Sequence, residues 1–559
     1  MKIFISHVGY SISTNKKAVL RESKTFSGTK FTIKCRESNE IKFSGNIVPA
    51  GSVDNWKDWY FYSMDFSDFN EEGRFYIDID GYRSENFDIV PTIFDKNLHH
   101  EIICYFRANR SSSKWDRHDQ NASFVGDRKD KVDVRGGWYD ASGDYSKYFS
   151  HLNYANFMNP QQIPGSVWHM LKFRENIIKR EHPTAKFIQR IEEEATFGAD
   201  FLVRMFDKNG YFYTTLFDKW SKDPNQREIC SYETMAGNKY DNYQAGFRQG
   251  AGLAIASLAK ASTTNDQYSE FGSKKYLEIA INAYDHLEMN NTKYLDNGKE
   301  NIIDDYCSLI ALVELFKATN NVAYKIKADK RARKLINRQT SDNVMRNWFI
   351  ADDLDRPFFH GAEAGFPALS LIEYLEIADN KDEVKDIIKK SLEYELEVTN
   401  EVTNPFGYAR QYTRDTNNVQ KTSFFIPHNN ETGYWWQGEN ARIASLAAAA
   451  YIGSLLFSDD KELSNKLVKY GNDQIHWIFG LNPFDTCMYY GRGRNIPEYD
   501  PGWPSVPGGI CNGITSGFLD ESDIDFRPES ANTGNNTWRW GEQWIPHASW
   551  FLFASSIIE

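Results

Sequence analysis

No two of the six cysteines, at positions 35, 104, 230, 307, 487 and 511, form a C-x-x-C pair. Their scatter disfavours a small zinc cluster and a disulfide framework, and reduced structural thiols are the reading. No apolar run is long enough to span a bilayer: the most apolar stretch, 446–457, is short and broken by glycine and serine. The opening Met1-Lys2-Ile3-Phe4-Ile5-Ser6-His7 lacks the apolar core and small-residue cleavage site of a secretion signal. The expectation is therefore a cytoplasmic chain without a membrane partner. Basic charge is also short, 65 Lys plus Arg against 77 Asp plus Glu, and the net charge of −12 repels phosphate backbones and argues against nucleic acid. Common catalytic signatures are absent: there is no H-E-x-x-H, G-x-S-x-G, P-loop or dinucleotide fingerprint. Zinc proteases, serine hydrolases and simple nucleotide hydrolases lose ground accordingly.

What is present is core material and spare aromatic rings. Hydrophobic residues make up 41% of the 559, and 15 Trp, 31 Tyr and 38 Phe leave flat side chains available for stacking on a ligand. The length predicts one large domain and a smaller one. Over residues 1–90 apolar positions alternate in short runs, as in Lys30-Phe31-Thr32-Ile33-Lys34 and Arg74-Phe75-Tyr76-Ile77-Asp78-Ile79, which predicts a small all-β sandwich. Residues 91–98 read as a linker. From 99 to 559 the period becomes that of amphipathic helices, with twelve candidates at 99–109, 166–180, 185–207, 246–263, 271–290, 301–320, 322–341, 359–380, 381–400, 438–457, 461–480 and 544–558. Six helical hairpins can close into a ring with apolar inner and charged outer helices, so the fold class is multidomain, a sandwich followed by an all-α domain. Ala251–Ala256 and Leu446–Ala450 read as inner helices, and Lys327–Lys334 as an outer one. Three long connections, 109–164, 400–437 and 481–544, are rich in Gly, Asn, Asp, Trp and Tyr, and loops of this length tend to carry function.

Two of these loops present carboxylates among aromatic rings. In Gly136-Gly137-Trp138-Tyr139-Asp140-Ala141-Ser142-Gly143-Asp144-Tyr145 the glycines break any helix, so Asp140 and Asp144 project from a turn flanked by Trp138, Tyr139 and Tyr145. In Trp538-Arg539-Trp540-Gly541-Glu542-Gln543-Trp544, Glu542 stands among three tryptophans, where poor solvation of the anion raises its pKa and suits it to act as an acid near neutrality. The structural alternatives are an Asx-turn pair for the aspartates and a helix-terminal charge for the glutamate. A base in a polar loop and an acid in an aromatic one are what hydrolysis of a glycosidic bond requires.

The same residues resemble glycoside hydrolase family 9, in the subtype with an N-terminal immunoglobulin-like domain and an (α/α)6 barrel. The likeness rests on Ser6-His7-Val8-Gly9-Tyr10, Gly137-Trp138-Tyr139-Asp140-Ala141 with Gly143-Asp144, Phe359-His360-Gly361-Ala362-Glu363, and Trp477-Ile478-Phe479-Gly480-Leu481-Asn482-Pro483. It implies an inverting glycosidase with Asp144 as general base, Asp140 holding the attacking water and Glu542 as general acid. No cofactor is required, and a structural calcium ion, frequent in relatives, is left open. Three residues instead of two separate the aspartates, Tyr489-Tyr490-Gly491-Arg492-Gly493-Arg494 stands where the cellulases have Pro-His-His-Arg, and Gln543-Trp544-Ile545-Pro546-His547 follows the glutamate. These departures resemble a branch of exo-β-D-glucosaminidases acting on β-1,4-linked glucosamine (chitosan) oligosaccharides, with an endo-β-1,4-glucanase and a catalytically silent carbohydrate binder as alternatives. Glu363 and Glu439 are the candidate carboxylates for a substrate ammonium, although pairing of either with a neighbour such as Arg442 is the plainer reading. Trp435, Trp436, Trp538, Trp540 and Tyr490 are candidate sugar platforms, Arg492 and Arg494 candidate donors to sugar hydroxyls, and His360 and His547 ordinary hydrogen-bonding residues.

Overall fold

A computed structural model describes the chain except for residues 181–183, 234–235, 434–436, 500–501, 503–504, 518–520, 527–536 and 559. Nine strands build the N-terminal sandwich: β1 (Lys2–Phe4), β2 (Tyr10–Ser11), β3 (Lys17–Glu22), β4 (Lys30–Cys35), β5 (Ile41–Gly51), β6 (Tyr60–Asp65), β7 (Gly73–Ile79), β8 (Tyr82–Arg83) and β9 (Phe87–Val90). They run in the order β1-β3-β6-β5-β4-β7-β9-β2, with β8 on β7. The eleven-residue β5 joins the two layers, pairing with β4 through Asn46 and with β6 from Ile47 onward.

Strict alternation then divides the side chains. Ala18, Leu20, Tyr62 and Met64 point into the sandwich with Phe31, Ile33, Phe75 and Ile77, while Phe4, Val19 and Phe61 point the other way and join the core of the helical domain. The β3–β6 layer is thus buried on both faces, as a strand reading Lys-Ala-Val-Leu requires. Lys17 pairs with Asp473 at 2.7 Å, the Arg21 guanidinium donates to the Pro483 carbonyl, and the buried Trp56 indole donates to the Ser522 carbonyl.

The remainder is helical: α1 (Lys96–Ala108), α2 (Ser113–Asp119), α3 (Ile163–Lys179), α4 (Ala185–Arg204), α5 (Gly252–Ala261), α6 (Ser273–Tyr294), α7 (Ile302–Thr319), α8 (Val322–Ile336), α9 (Phe366–Leu375), α10 (Lys381–Asn400), α11 (Asn440–Leu456), α12 (Lys461–Ile478), α13 (Trp538–Gly541) and α14 (Ile545–Ala554). Helices α3, α5, α7, α9, α11 and α14 are buried almost all round, and each packs on the next, with α14 returning to α3. Outside them α4, α6, α8, α10 and α12 lie on their hairpin partners, and α1 lies on α4 and α14. In α8 only Tyr324, Ala328, Ala332, Leu335 and Ile336 are buried, one stripe under a charged face.

The boundaries differ from the sequence reading where glycine or a side-chain cap intervenes. Helix α1 begins at Lys96, where the Asp95 carboxylate accepts the Leu98 N–H at 2.7 Å, inside the segment read as a linker. The predicted helix 246–263 opens as a π-type turn with Gly250 at φ +100° before α5 starts. The predicted helix 359–380 shrinks to α9, because the His360 ring accepts the Ala362 and Glu363 N–H groups and turns the chain ahead of it.

Candidate active site

Residues 138–148 form a compact turn at one end of the helical ring. The Ala141 and Asp144 backbones bond each other, 3.3 and 3.2 Å, so that Ser142 and Gly143 form the tip. This tip is clasped to the segment carrying Glu542: Ser142 N–H donates to the Gln543 carbonyl at 2.9 Å, and the Ser142 hydroxyl accepts the Gln543 N–H at 2.9 Å. The Ile545 N–H donates to the Asp140 carbonyl at 3.1 Å. Two loops about 400 residues apart in sequence are therefore one hydrogen-bonded unit. A Cβ added to Gly143 would lie 2.8 Å from the Tyr499 hydroxyl and 3.0 Å from Glu542 Oε1, so any larger residue at the third position between the aspartates would push on those two side-chain ends.

The three carboxyl groups have different surroundings. Asp144 accepts from the Tyr148 hydroxyl (2.6 Å) and the Trp220 indole (3.1 Å) at Oδ2, and from the Ser146 N–H (2.8 Å) at Oδ1, the acceptor-only pattern of a carboxylate. Asp140 is buried and accepts from the Gln162 amide and from the Trp544 indole, 3.2 and 3.1 Å to its two oxygens, with His151 Nδ1 at 3.4 Å. Burial raises the Asp140 carboxyl; His151 opposes the rise and the Asp144 charge adds to it. Glu542 is pushed well above the ordinary glutamate range, first by burial and then by the charges of Asp144 and Asp140, against a hydrogen bond from Asn512. An arrangement of this kind can supply one carboxyl group to accept a proton and another to give one.

Behind the loop a second set of contacts fixes its position. Buried Lys147 pairs with Asp119 at 2.8 Å and donates to the Val134 and Gly136 carbonyls, and Arg227 pairs with the same Asp119 at 2.7 Å. Burial works against the Asp119 anion, but Lys147 and Arg227 outweigh it and hold its carboxyl below the usual range. On the other side the Ala441 N–H donates to His547 Nδ1 (2.8 Å), His547 Nε2 meets Asn512 Oδ1 (2.8 Å), and the Asn512 N–H donates to the Glu542 carbonyl (2.8 Å).

Several expected ligand contacts are instead structural. Trp138 is fully buried, its indole donating to Glu194 at 2.7 Å and its ring edge-on to Phe106, so it belongs to the core. Trp540 is also buried, under the Arg539 guanidinium. Tyr139 anchors the chain by hydrogen bonds with the Ser112 backbone. Glu363 lies inside the ring, accepting from Tyr306 (2.5 Å) and the Gln161 N–H (2.9 Å), and burial pushes its carboxyl up to about 8. Glu439 accepts from Arg442 (2.5 Å), Gln411 (3.1 Å) and the Ile426 N–H (2.9 Å). Both glutamates are buried. Arg492 forks onto Glu101 of α1, 2.7 and 2.9 Å, and Arg494 onto Asp485, 3.1 and 2.6 Å, next to His7 of the sandwich. Both arginines brace loops.

Tyr145, stacked on Trp115, and Tyr490 and Trp538 keep partly exposed side chains. Trp435 and Trp436 lie outside the described residues. Burial holds His360 and His547 neutral, each lowered to about 3. Among the described residues no group of three or more His, Cys, Asp or Glu is arranged to hold a metal ion. Sequence reasoning missed Tyr148, His151, Gln162, Trp220 and Trp544. Only Tyr148 and Trp544 carried a local signal, an aromatic residue four beyond Asp144 and one two beyond Glu542.

A sandwich fused to a helical ring, with two aspartates and a glutamate gathered at one end, defines a carbohydrate-hydrolase architecture. Residues 96–500 match the model of glycosyl hydrolase family 9 and residues 1–84 that of the cellulase N-terminal Ig-like domain; the chain belongs to glycosyl hydrolase family 9. Glu542 lies beyond the matched range. A cellodextrinase of Butyrivibrio fibrisolvens is 31% identical over 157 residues, 26% of this chain and 27% of that protein. Endoglucanase D of Acetivibrio thermocellus is 25% identical over 165 residues, 26% of this chain and 24% of that protein. The alignments span about a quarter of these curated relatives. Among solved structures, a Bacteroides ovatus family 9 protein superposes with a TM-score of 0.67 at 19% identity, over 99% of this chain and 98% of that one. A metagenome-derived family 9 endoglucanase gives 0.67 at 17%, over 99% and 98%. These two likenesses speak to the fold. Among the described residues no helix is long and apolar enough to cross a membrane.

Proposed function

We propose that the chain hydrolyses β-1,4-glycosidic bonds of soluble oligosaccharides by single displacement with inversion, on what we take to be an (α/α)6 barrel. Asp144 removes a proton from a water that Asp140 helps to hold, the water attacks the anomeric carbon, and Glu542 protonates the departing sugar oxygen. Turnover leaves Asp144 protonated and Glu542 ionised, and exchange with solvent restores both. The observation that carries this reading is the contrast between Asp144, which accepts three hydrogen bonds, and Glu542, driven towards its acid form by burial and by both aspartates. For the substrate, the matched relatives named cellodextrinase and endoglucanase support β-1,4-linked glucose oligomers.

A second reading, exo-action on glucosamine oligomers, is favoured by a different observation. Among the described residues the groups bonding Asp140, Asp144 and Glu542 are tyrosine, tryptophan, glutamine, histidine, asparagine and backbone N–H, none of them a permanent cation. A 2-ammonium sugar would relieve that excess of negative charge. Glu363 and Glu439 lend this reading no support, since both are buried and bonded to neighbouring groups. We place the enzyme in the cytoplasm, a reading supported by six unpaired cysteines.

The test is incubation with glucose, glucosamine and N-acetylglucosamine β-1,4-oligomers, with products and their first anomer followed by proton NMR. Initial α-anomers from glucose oligomers support the first reading, and stepwise release of α-glucosamine the second. Initial β-anomers would overturn inversion, and no cleavage of any oligomer would leave a carbohydrate binder.

A further inference from the structure

The loop 218–222 follows the short strand Thr215–Phe217 and is the most conformationally constrained part of the site. Lys219, Trp220 and Lys222 adopt φ of +59°, +54° and +60°, left-handed values that are costly for residues bearing a Cβ. Asp218 holds them there: its carboxylate accepts the Lys222 N–H (3.1 Å) and the Ser146 hydroxyl (3.0 Å), and its carbonyl accepts the Ser221 hydroxyl (2.7 Å). Gly237 backs the loop, since a Cβ there would lie 3.1 Å from the Trp220 ring.

The product of this strain is one side chain in one place. The Trp220 indole N–H reaches Asp144 Oδ2 at 3.1 Å, while the residue remains 37% exposed with Phe217 edge-on to its ring at 5.0 Å. Asp144 itself is buried, so this partly exposed ring marks where solvent, and hence substrate, approaches it. Tyr148, on the strand paired with Thr215–Phe217, bonds the same Oδ2, while Oδ1 accepts the Ser146 N–H.

We propose that Trp220 is a positioning residue for Asp144 and, through its exposed ring, the wall on which the sugar beside Asp144 stacks. The proposal rests on the hydrolase reading above. A pyranose C–H face against the indole would press the N–H onto Oδ2, so that occupancy of the wall and alignment of the base are coupled. Such stacking does not depend on the substituent at C2, and the assignment holds for glucose and glucosamine oligomers alike.

The experiment compares Trp220→Phe and Trp220→Leu with the wild type. Trp220→Phe keeps a ring and loses the donor: kcat falls about tenfold while KM stays within about twofold. Trp220→Leu adds a KM increase of about fivefold or more. Oxidative footprinting of the Glu542→Gln enzyme, with cellotetraose or the glucosamine tetramer, whichever the wild type cleaves, gives a readout independent of the Trp220 variants' folding. Protection of Trp220 is expected. A lower Tm with unmoved kcat and KM, or equal oxidation of Trp220 with and without tetramer, would overturn the proposal. If Asp144→Asn and Glu542→Gln are inactive while Trp220→Phe behaves as wild type, this inference fails alone; if those two variants are fully active, the hydrolase reading fails with it.

Discussion

Glu542 and Asp144 owe their proposed roles to their surroundings, since in isolation both are ordinary carboxylic acids. Glu542→Gln cannot donate the proton and Asp144→Asn cannot accept one, so each is expected to lose about 10²–10⁴ in kcat while oligosaccharide binding stays measurable by calorimetry. Because burial and the two aspartates raise Glu542, the wild-type alkaline limb should lie well above the ordinary glutamate range, with activity falling as pH rises through it. Glu363 offers a separate test, through stability. Its buried carboxyl titrates at about 8, while the unfolded chain titrates it near its ordinary value. Below that ordinary value both states carry the proton; as pH rises towards 8 the unfolded state ionises first, and stability is progressively lost. Glu363→Gln removes this titration, so the decline in Tm between pH 5 and pH 8 should shrink in thermal scans. A slope as steep as that of the wild type would contradict the assignment.

Glycines set the spacing of the elements that carry these groups. Gly143 lies at the tip of the aspartate turn, against Tyr499 and Glu542. The atoms a methyl group would meet there are ends of side chains, so Gly143→Ala is expected to fold with nearly unchanged Tm and to lose about tenfold or more in kcat. Gly365, at the start of α9, faces the Ser445 carbonyl of α11, and a Cβ there would strike backbone. Gly365→Ala should therefore lower stability by about 1–3 kcal/mol in urea unfolding, through separation of two inner helices. Helix periods were readable because each hairpin contrasts an apolar helix with a striped one, as α7 does with α8. The shortened α9 was not, because the His360 cap that precedes it is a side-chain contact and not a propensity.

Across the molecule the sandwich and the helical domain share one core. Phe4, Val19, Trp56 and Phe61 belong to the same cluster as Phe406, Trp477 and Phe551, and the Trp56 indole is hydrogen-bonded across the boundary. A single calorimetric unfolding transition is expected, and Trp56→Ala should lower its midpoint without producing a separate early transition for the sandwich. His7 ties the sandwich to Asp485, which Arg494 also grips. Arg494, a candidate sugar donor, thus serves the joint between domains, whereas Arg492 braces its loop onto α1.

The sequence by itself determined the class of fold, through period-two runs before residue 90 and helical stripes after it. It also singled out Asp140, Asp144 and Glu542, because glycine and tryptophan so near a carboxyl group leave a local signature. Tertiary structure alone decided which aromatic rings are buried and which stay exposed: Trp138 is sealed in the core, while Trp220, with no motif around it, is partly exposed and reaches Asp144. It decided equally that Glu363 and Glu439 are interior groups. The physical reason is range. Periodicity and turn chemistry act over a few residues, whereas burial and hydrogen bonding of a side chain are set by partners tens to hundreds of positions away, which only the closed ring brings together.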